Sequence, residues 1–213
     1  MKRLILALAL IWGPAHATHS FYIEAASGLT HFYQYKKDGA RWYQDAFPWS
    51  AELNSSNFRL GIGQRINADW DLVVSWLDIG RNSVDALAVP DDAYDAVNHQ
   101  CISNCDRPTR LIANGHGYGP EIAWKLKSDS FYLRGGIFAW IVNLKATMLH
   151  QDGTYIGSYK QPREVMLAPF LGVGYKHKDI FFEVSYYSGI GSGGYPISTK
   201  ALVSMIGIQV NLD

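Results

Sequence analysis

The chain has 213 residues, 48% of them hydrophobic and 14% aromatic, and its 19 basic and 19 acidic residues balance. This balance excludes the basic excess typical of nucleic-acid-binding proteins, and no polybasic lipid-binding tail is present. After residue 17, no segment holds the run of about 18 apolar residues that indicates a membrane-spanning helix. The length suits one domain of the barrel or sandwich type.

The first 17 residues have the pattern of a cleavable signal peptide. A positive n-region is followed by an apolar stretch at residues 4–12 and by a small-residue cleavage site ending at Ala17. The apolar stretch is too short to cross a bilayer as a helix, which needs about 20 residues. A buried strand or helix could also carry such a stretch, but the combination favours export. We therefore predict a signal peptide at 1–17 and one mature domain at 18–213.

Eight later segments alternate between apolar and other residues with a period of two. In the second of them, Phe58, Leu60 and Ile62 share one face and Arg59 lies on the other. Such alternation predicts strands with two different faces, and single-chain bacterial barrels have an even strand count. The eight segments are 21–35, 57–66, 70–80, 118–126, 131–141, 165–175, 180–187 and 201–212.

The connections between these segments alternate in length. Outer-membrane barrels have short periplasmic turns and long extracellular loops. We therefore predict an all-β fold, an eight-stranded antiparallel up-and-down transmembrane β-barrel in a bacterial outer membrane, with both termini periplasmic. The predicted turns are 67–69, 127–129 and 177–179, and the predicted external loops, which could meet an extracellular partner, are 36–55, 81–110, 146–162 and 189–199.

An aromatic residue on the apolar face follows each predicted turn. These residues are Trp70, Phe131 and, one step further along its strand, Phe182. Aromatic rings favour the headgroup level of a membrane, so we expect the three to belong to an interfacial girdle in contact with outer-membrane lipid or lipopolysaccharide.

The second face of the strands carries few charges. A soluble barrel such as a lipocalin would need many charges on its outer face, so this face suits a narrow lumen better. An eight-stranded barrel is only wide enough for side chains to fill, and Tyr132, Phe138 and Trp140 add obstruction. An ion-pair network is therefore favoured over a conducting path. Its predicted members are Glu24, Arg59, Glu121, Lys125, Arg134 and Glu183.

The order and spacing of several strand motifs resemble the OmpA-type family of outer-membrane barrels. The run 57–80 is similar to the family's second hairpin, 133–140 to its fifth strand, and 170–187 to its sixth and seventh strands. The resemblance covers roughly residues 21–212 and implies a small outer-membrane barrel. Family members normally end on an aromatic residue, whereas this chain ends on Asp213. Fold does not fix function, because members differ in what they do.

Some barrels of this size are lipid A deacylases with a His-x-Ser pair on a late strand. Ser188 could match the nucleophile, but Tyr186 stands where the histidine would be. A serine without an adjacent base is a weak nucleophile. The sequence thus predicts no catalytic site, although a lipid A-modifying enzyme remains an alternative.

Cys101 and Cys105 lie close together in the second predicted loop. In an exported chain this spacing predicts a small disulfide loop, and a metal site is disfavoured because no other ligands lie at zinc spacing. Asp91 and Asp92 lack the ordered pattern of a calcium loop, so a solvated loop is expected there. No metal or other cofactor is predicted.

The functional prediction is a small outer-membrane protein whose long loops serve surface interaction or envelope structure. Besides the deacylase alternative, a narrow pore or small-ligand carrier remains open.

Overall fold

The computed structural model describes residues 20–33, 47–88, 94–95, 100–101, 109–150, 153–160, 163–189 and 200–212. Within this part of the chain, no helix is long and apolar enough to cross a membrane. The strands there are β1 (Phe21–Phe32), β2 (Phe47–Glu52), β3 (Asn54–Arg65), β4 (Trp70–Ala88), β5 (Tyr94–Asp95), β6 (Gln100–Cys101), β7 (Thr109–Ser128), β8 (Phe131–Leu149), β9 (Tyr155–Lys160), β10 (Glu164–His177), β11 (Ile180–Ser188) and β12 (Lys200–Leu212).

Eight of these strands form a closed antiparallel barrel. The order around the ring is β1, β3, β4, β7, β8, β10, β11 and β12, and β12 pairs back onto β1. Phe21 lies opposite Leu212 and Phe32 lies opposite Ala201, so the first and last strands align along their length. Closure gives every barrel strand two neighbours and leaves the ring without an open edge. The predicted eight-stranded antiparallel fold is confirmed.

Three tight turns join neighbouring strands at one end of the barrel, which we call the turn end. In the first, the side-chain oxygen of Asn67 accepts hydrogen bonds from the backbone N–H groups of Asp69 and Trp70, at 2.9 and 2.8 Å. In the other two, Asp129 and Lys178 have φ angles of 51° and 54°, in the left-handed region that tight turns use. These turns lie within one or two residues of their predicted positions.

The barrel is apolar outside and polar inside. Outward side chains such as Ile62, Leu171 and Ile206 are 58%, 66% and 60% exposed. The alternate residues of the same strands point inward and are buried, including charged ones such as Arg59 and Glu183. This distribution is the reverse of that in a soluble barrel, where charged side chains cover the outside.

Three strands continue well past the barrel, which differs from the predicted loop bounds. The predicted loops began at residue 81 and at residue 146, and the fourth predicted strand began at residue 118, but β4 extends to Ala88, β7 starts at Thr109 and β8 ends at Leu149. Beyond Val142, β8 no longer pairs with β10 and pairs instead with β9. On the other side, β2 pairs with the extension of β4. We call this five-stranded extension at the end opposite the turns the raised sheet; its strands, in order, are β2, the ends of β4, β7 and β8, and β9.

A β-bulge marks the point where β4 leaves the barrel. The pairing of β4 with β7 shifts between Asp78 and Gly80, and Gly80 has a φ of 86°, which an L side chain rarely adopts. The Asp78 carboxylate accepts a hydrogen bond of 2.7 Å from the Gly80 N–H. The extra residue changes the parity of the strand, so that Arg81 points outward above Asp78.

Candidate functional site

The six residues predicted for the lumen lie together inside the barrel. They come from five strands: β1, β3, β7, β8 and β11. Three carboxylates face three cations there, so their formal charges balance, and their side chains are at most 4% exposed. We call this set the lumen network; it comprises Glu24, Arg59, Glu121, Lys125, Arg134 and Glu183.

Arg59 contacts two carboxylates at the centre of the lumen network. Its two terminal nitrogens donate hydrogen bonds of 2.6 and 3.1 Å to the two oxygens of Glu183, a bidentate arrangement that fixes both groups. Its Nε lies 3.3 Å from Oε1 of Glu24, a charge contact without hydrogen-bond geometry. The guanidinium therefore joins β3 to β11 across the interior.

The other two cations complete the lumen network. Arg134 donates to Glu121 and, at 3.1 Å, to Oε1 of Glu183. Lys125 donates to Glu24, and its ammonium lies 5.1 Å from the centre of the Tyr132 ring. Buried charges are tolerated when they are paired and hydrogen-bonded, and this arrangement gives each cation a carboxylate.

Four hydroxyl groups also bind the carboxylates of the lumen network, and sequence reasoning did not assign them this role. Ser75 and Tyr187 donate to Glu121 at 2.7 and 2.6 Å. Tyr132 and Ser185 donate to Glu183, each at 3.0 Å. Their inward strand parity was the available signal, but parity alone does not say which carboxylate each hydroxyl reaches, because that depends on strand register.

Aromatic side chains fill the interior on the side of the lumen network away from the turns. Tyr187 stacks on Phe170 with ring centres 4.8 Å apart, and Phe138 meets Tyr187 edge-on at 5.7 Å. The ring centre of Trp140 lies 5.9 Å from that of Phe138. All four side chains are buried. The interior between the lumen network and the raised sheet is therefore packed with side chains, as expected for a barrel of this size.

Inward glycines make room for two tyrosines at the turn end. A Cβ on Gly63 would lie 2.1 Å from Cζ of Tyr22, and one on Gly174 would lie 2.1 Å from Cζ of Tyr132. Tyr22 donates a 3.1 Å hydrogen bond to Asp71, which Lys127 also contacts at 2.6 Å. These glycines thus accommodate large side chains from the directly opposed position of the neighbouring strand.

The three predicted girdle residues point outward near the turns. Trp70, Phe131 and Phe182 are 40%, 65% and 51% exposed. Phe131 packs edge-on against Tyr175 with ring centres 5.1 Å apart. Toward the other end of the barrel wall, outward aromatic rings also meet in pairs: Trp76 with Tyr118 and Tyr33 with Tyr186.

Three cations on the outward side of the raised sheet have no ion-pair partner among the described residues. In the described part of the chain, no carboxylate lies within 4.0 Å of Arg81, Lys145 or Lys160. Lys145 and Lys160 lie directly opposite each other on β8 and β9, and both are exposed. Like charges in directly opposed positions destabilise a strand pair. We call Arg81, Lys145 and Lys160 the cationic face.

Two acidic groups near the cationic face, Asp78 and Asp85, already have partners. His116 Nε2 lies 3.0 Å from the Asp78 carboxylate. Asp85, on the extension of β4, accepts hydrogen bonds of 2.9 and 3.1 Å from Nε of Arg110. Hydrogen bonding to Asp85 raises the pKa of the Arg110 guanidinium. Neither carboxylate neutralises the three cations.

The remaining site predictions fall partly outside the described residues. Tyr186 points outward, and within the described ranges Ser188 makes no hydrogen bond to a histidine. Cys101 ends β6, but Cys105 lies outside the described residues, so the disulfide stays a prediction. The segment 1–17 and the residues Asp91 and Asp92 also lie outside them.

No protein-family model and no curated protein sequence matches the chain. Among solved structures, the chain is similar to the attachment invasion locus protein Ail of Yersinia pestis, crystallised with the heparin analogue sucrose octasulfate. The two are 15% identical, with a TM-score of 0.43 over 91% of this chain and 97% of that chain. It is also similar to Neisserial surface protein A, with 12% identity and a TM-score of 0.37 over 90% of this chain and 97% of that one. The closed strand pairing of this chain defines its fold without them.

Proposed function

We propose that this chain is an integral protein of a bacterial outer membrane that displays the raised sheet at the cell surface. The observation that carries the proposal is the apolar outer wall of a closed barrel. Side chains such as Ile62, Ile137 and Val173 would each leave more than half of their surface in water if the protein were soluble. In a bilayer the same side chains contact hydrocarbon, and closure satisfies the backbone hydrogen bonds that lipid cannot.

The interior supports a surface role more than a transport role. The balanced charges of the lumen network and the aromatic cluster around Tyr187 fill the barrel, so solutes lack a wide path. The raised sheet, in contrast, offers backbone and side-chain groups beyond the wall, and surface loops on a rigid scaffold commonly carry binding functions. We propose that contact with an extracellular partner occurs there.

The proposed orientation places the turn end and both termini in the periplasm. Outer-membrane barrels have short turns on the periplasmic side and longer connections outside, and the three tight turns here fit that asymmetry. Export on a signal peptide at residues 1–17 belongs to the same proposal.

The cationic face supports a lipid partner in addition. Lys145 follows Ile141 by four residues on β8, which is about 13 Å along the strand. It therefore lies beyond the apolar wall, where phosphate-bearing headgroups such as those of lipopolysaccharide would be found. Basic clusters next to a membrane attract anionic headgroups, with about 1 kcal/mol per cation. We propose that the cationic face contacts them.

Fractionation tests the proposed location. The protein is expected in outer membranes after carbonate extraction, and it should migrate faster unboiled than boiled on a denaturing gel, because a folded barrel resists detergent. Protease added to intact cells should cleave the raised sheet and leave the turn end intact. Recovery of the protein as a soluble periplasmic species would contradict the proposal.

A further inference from the structure

A small cavity opens inside the turn end of the barrel, next to Lys125 of the lumen network and away from the raised sheet. Its volume is about 60 Å³. Since each water needs roughly 10–15 Å³ by this measure, it has room for about four to six water molecules. Its charged lining consists of Arg65, Lys125, Lys127, Lys176, Asp71 and Asp129. Cations therefore outnumber carboxylates by four to two.

Two of these cations are already paired. Lys127 contacts Asp71 at 2.6 Å, and Lys125 donates to Glu24 of the lumen network. Asp71 also accepts from Tyr22. Neither carboxylate lies within 4.0 Å of the two remaining cations, Arg65 and Lys176. Asp71 and Asp179 attract Lys176 only from farther away, and Lys125 and Arg65 repel it.

Arg65 and Lys176 carry the positive charge that remains. The only side-chain hydrogen bond of Arg65 among the described residues goes to the neutral amide oxygen of Asn211, at 3.1 Å. The Lys176 side chain is half-buried, and no described carboxylate lies within 4.0 Å of its ammonium. Asp129 is exposed at its turn. A partly buried cation in a cationic lining is unfavourable unless an anion accompanies it.

We propose that this cavity binds a phosphate group. A tetrahedral oxyanion has four oxygens and fits the space of about four waters. Lys176 and Arg65 supply charge-assisted donors, and Ser130 and Gln209, which also line the cavity, supply neutral ones. The phosphate is either a free ion of the surrounding solution or the headgroup of a lipid in the adjoining leaflet, since Lys176 directly follows the outward residue Tyr175.

The first arm of the test uses the folded protein in a phosphate-free maltoside detergent. Inorganic phosphate is titrated by calorimetry into the wild type, Lys176→Gln and Lys178→Gln. Lys178 is exposed in the adjacent turn and does not line the cavity, so it is the matched control. We expect saturable binding to the wild type and the control, and at least about tenfold weaker binding to Lys176→Gln, from the loss of one charge-assisted hydrogen bond. Faster migration of each unboiled variant checks that it is folded.

The second arm distinguishes the two sources in nanodiscs of phosphatidylglycerol. If a headgroup occupies the cavity, inorganic phosphate should bind more weakly there than in maltoside, and ³¹P signals of the lipid should show contacts that Lys176→Gln removes. Equal binding in both media identifies the free ion as the ligand. The proposal is overturned if the folded wild type shows neither saturable phosphate binding nor such contacts. It is also overturned if Lys178→Gln loses as much affinity for phosphate as Lys176→Gln does. The first arm needs only a folded barrel, so its result does not depend on the membrane location.

Discussion

Arg59 and Glu183 meet in the barrel interior through two hydrogen bonds of 2.6 and 3.1 Å, although 124 positions separate them in the chain. Their strands, β3 and β11, are not neighbours in the sheet. The pair therefore links two separate parts of the barrel wall, and both side chains are buried.

Replacing Arg59 alone should destabilise the barrel strongly. Arg59→Met leaves Glu24 and Glu183 with one cation fewer, and breaking a buried pair typically costs about 3–5 kcal/mol. Urea unfolding in phospholipid vesicles, followed by tryptophan fluorescence, measures the free energy of unfolding. Arg81→Met is the control, because the outward Arg81 has no ion-pair partner among the described residues.

The double variant Arg59→Met/Glu183→Gln should recover part of this loss, because it removes a charge of each sign. Equal stability of Arg59→Met and Arg81→Met would show that the interior pair contributes little. If the double variant loses as much free energy of unfolding as the two single variants lose together, Arg59 and Glu183 do not interact.

Gly174→Ala should lower stability through steric overlap. The added Cβ would lie 2.1 Å from the Tyr132 ring, whose hydroxyl is held by Glu183, and such overpacking costs about 1–3 kcal/mol. Gly157→Ala is the matched control on β9, because no atom lies within 4 Å of its added Cβ. The same urea titration compares the two variants. A change of similar size in both would point to backbone effects and not to packing inside the barrel.

Planar-bilayer recordings should detect no large, steady single-channel current. The lumen network spans the interior, and Phe138, Phe170 and Tyr187 fill the space beyond it. A sixteen-stranded porin in the same bilayer is the positive control. Steady conductance comparable to that porin would refute a filled interior and would favour transport over surface contact.

Lys145→Gln/Lys160→Gln should weaken contact with anionic headgroups. Without net negative charge in the surrounding headgroups, the two opposed lysines repel each other, so the double variant should be at least as stable as the wild type in zwitterionic vesicles. In vesicles containing lipopolysaccharide the wild type should gain more stability than the variant, by about 2 kcal/mol for two cations. Lys178→Gln, at the turn end, serves as the control. An equal gain for all three proteins would exclude a specific role for the cationic face.

Cys101 and Cys105 should form a disulfide in protein isolated from the cell envelope without reductant. Mass spectrometry after alkylation distinguishes a bonded pair from two free thiols. So short a loop constrains little of the unfolded chain, so reduction should hardly change the stability of the barrel. Labelling of both cysteines before reduction would disprove the bond.

The strand count, the turns and the two faces of the barrel could be predicted because period-2 alternation reports burial directly. The same parity identified which charges point inward, for example Glu24 and Arg134. It could not identify their partners. Arg134 on β8 reaches Glu183 on β11 across the intervening β10, and whether the two residues lie level depends on the register of both strands with β10. Which carboxylate the Tyr187 hydroxyl reaches depends on strand register in the same way.

The sequence did not predict the raised sheet, because apolar residues no longer alternate along its strands although their backbone hydrogen bonds continue. Outward positions beyond the bulge carry Arg81, Ser83 and Asp85, so apolar alternation ends although pairing continues to Ala88. The bulge at Gly80 also shifts the parity, which a strict period of two does not accommodate. Similarly, the cavity at the turn end joins residues from several strands, which no local pattern connects.

The placement of Glu183 has a consequence for how the barrel assembles. Its guanidinium partners come from β3 and β8, and neither of these strands pairs with β11. A partly inserted sheet of β1 to β8 would therefore expose Arg59 and Arg134 without this carboxylate, at a depth where unpaired charge is costly. Such intermediates should be poorly populated, and β11 and β12 should complete the charge balance and the ring together. We therefore expect the barrel to fold cooperatively, although each hairpin is local in sequence.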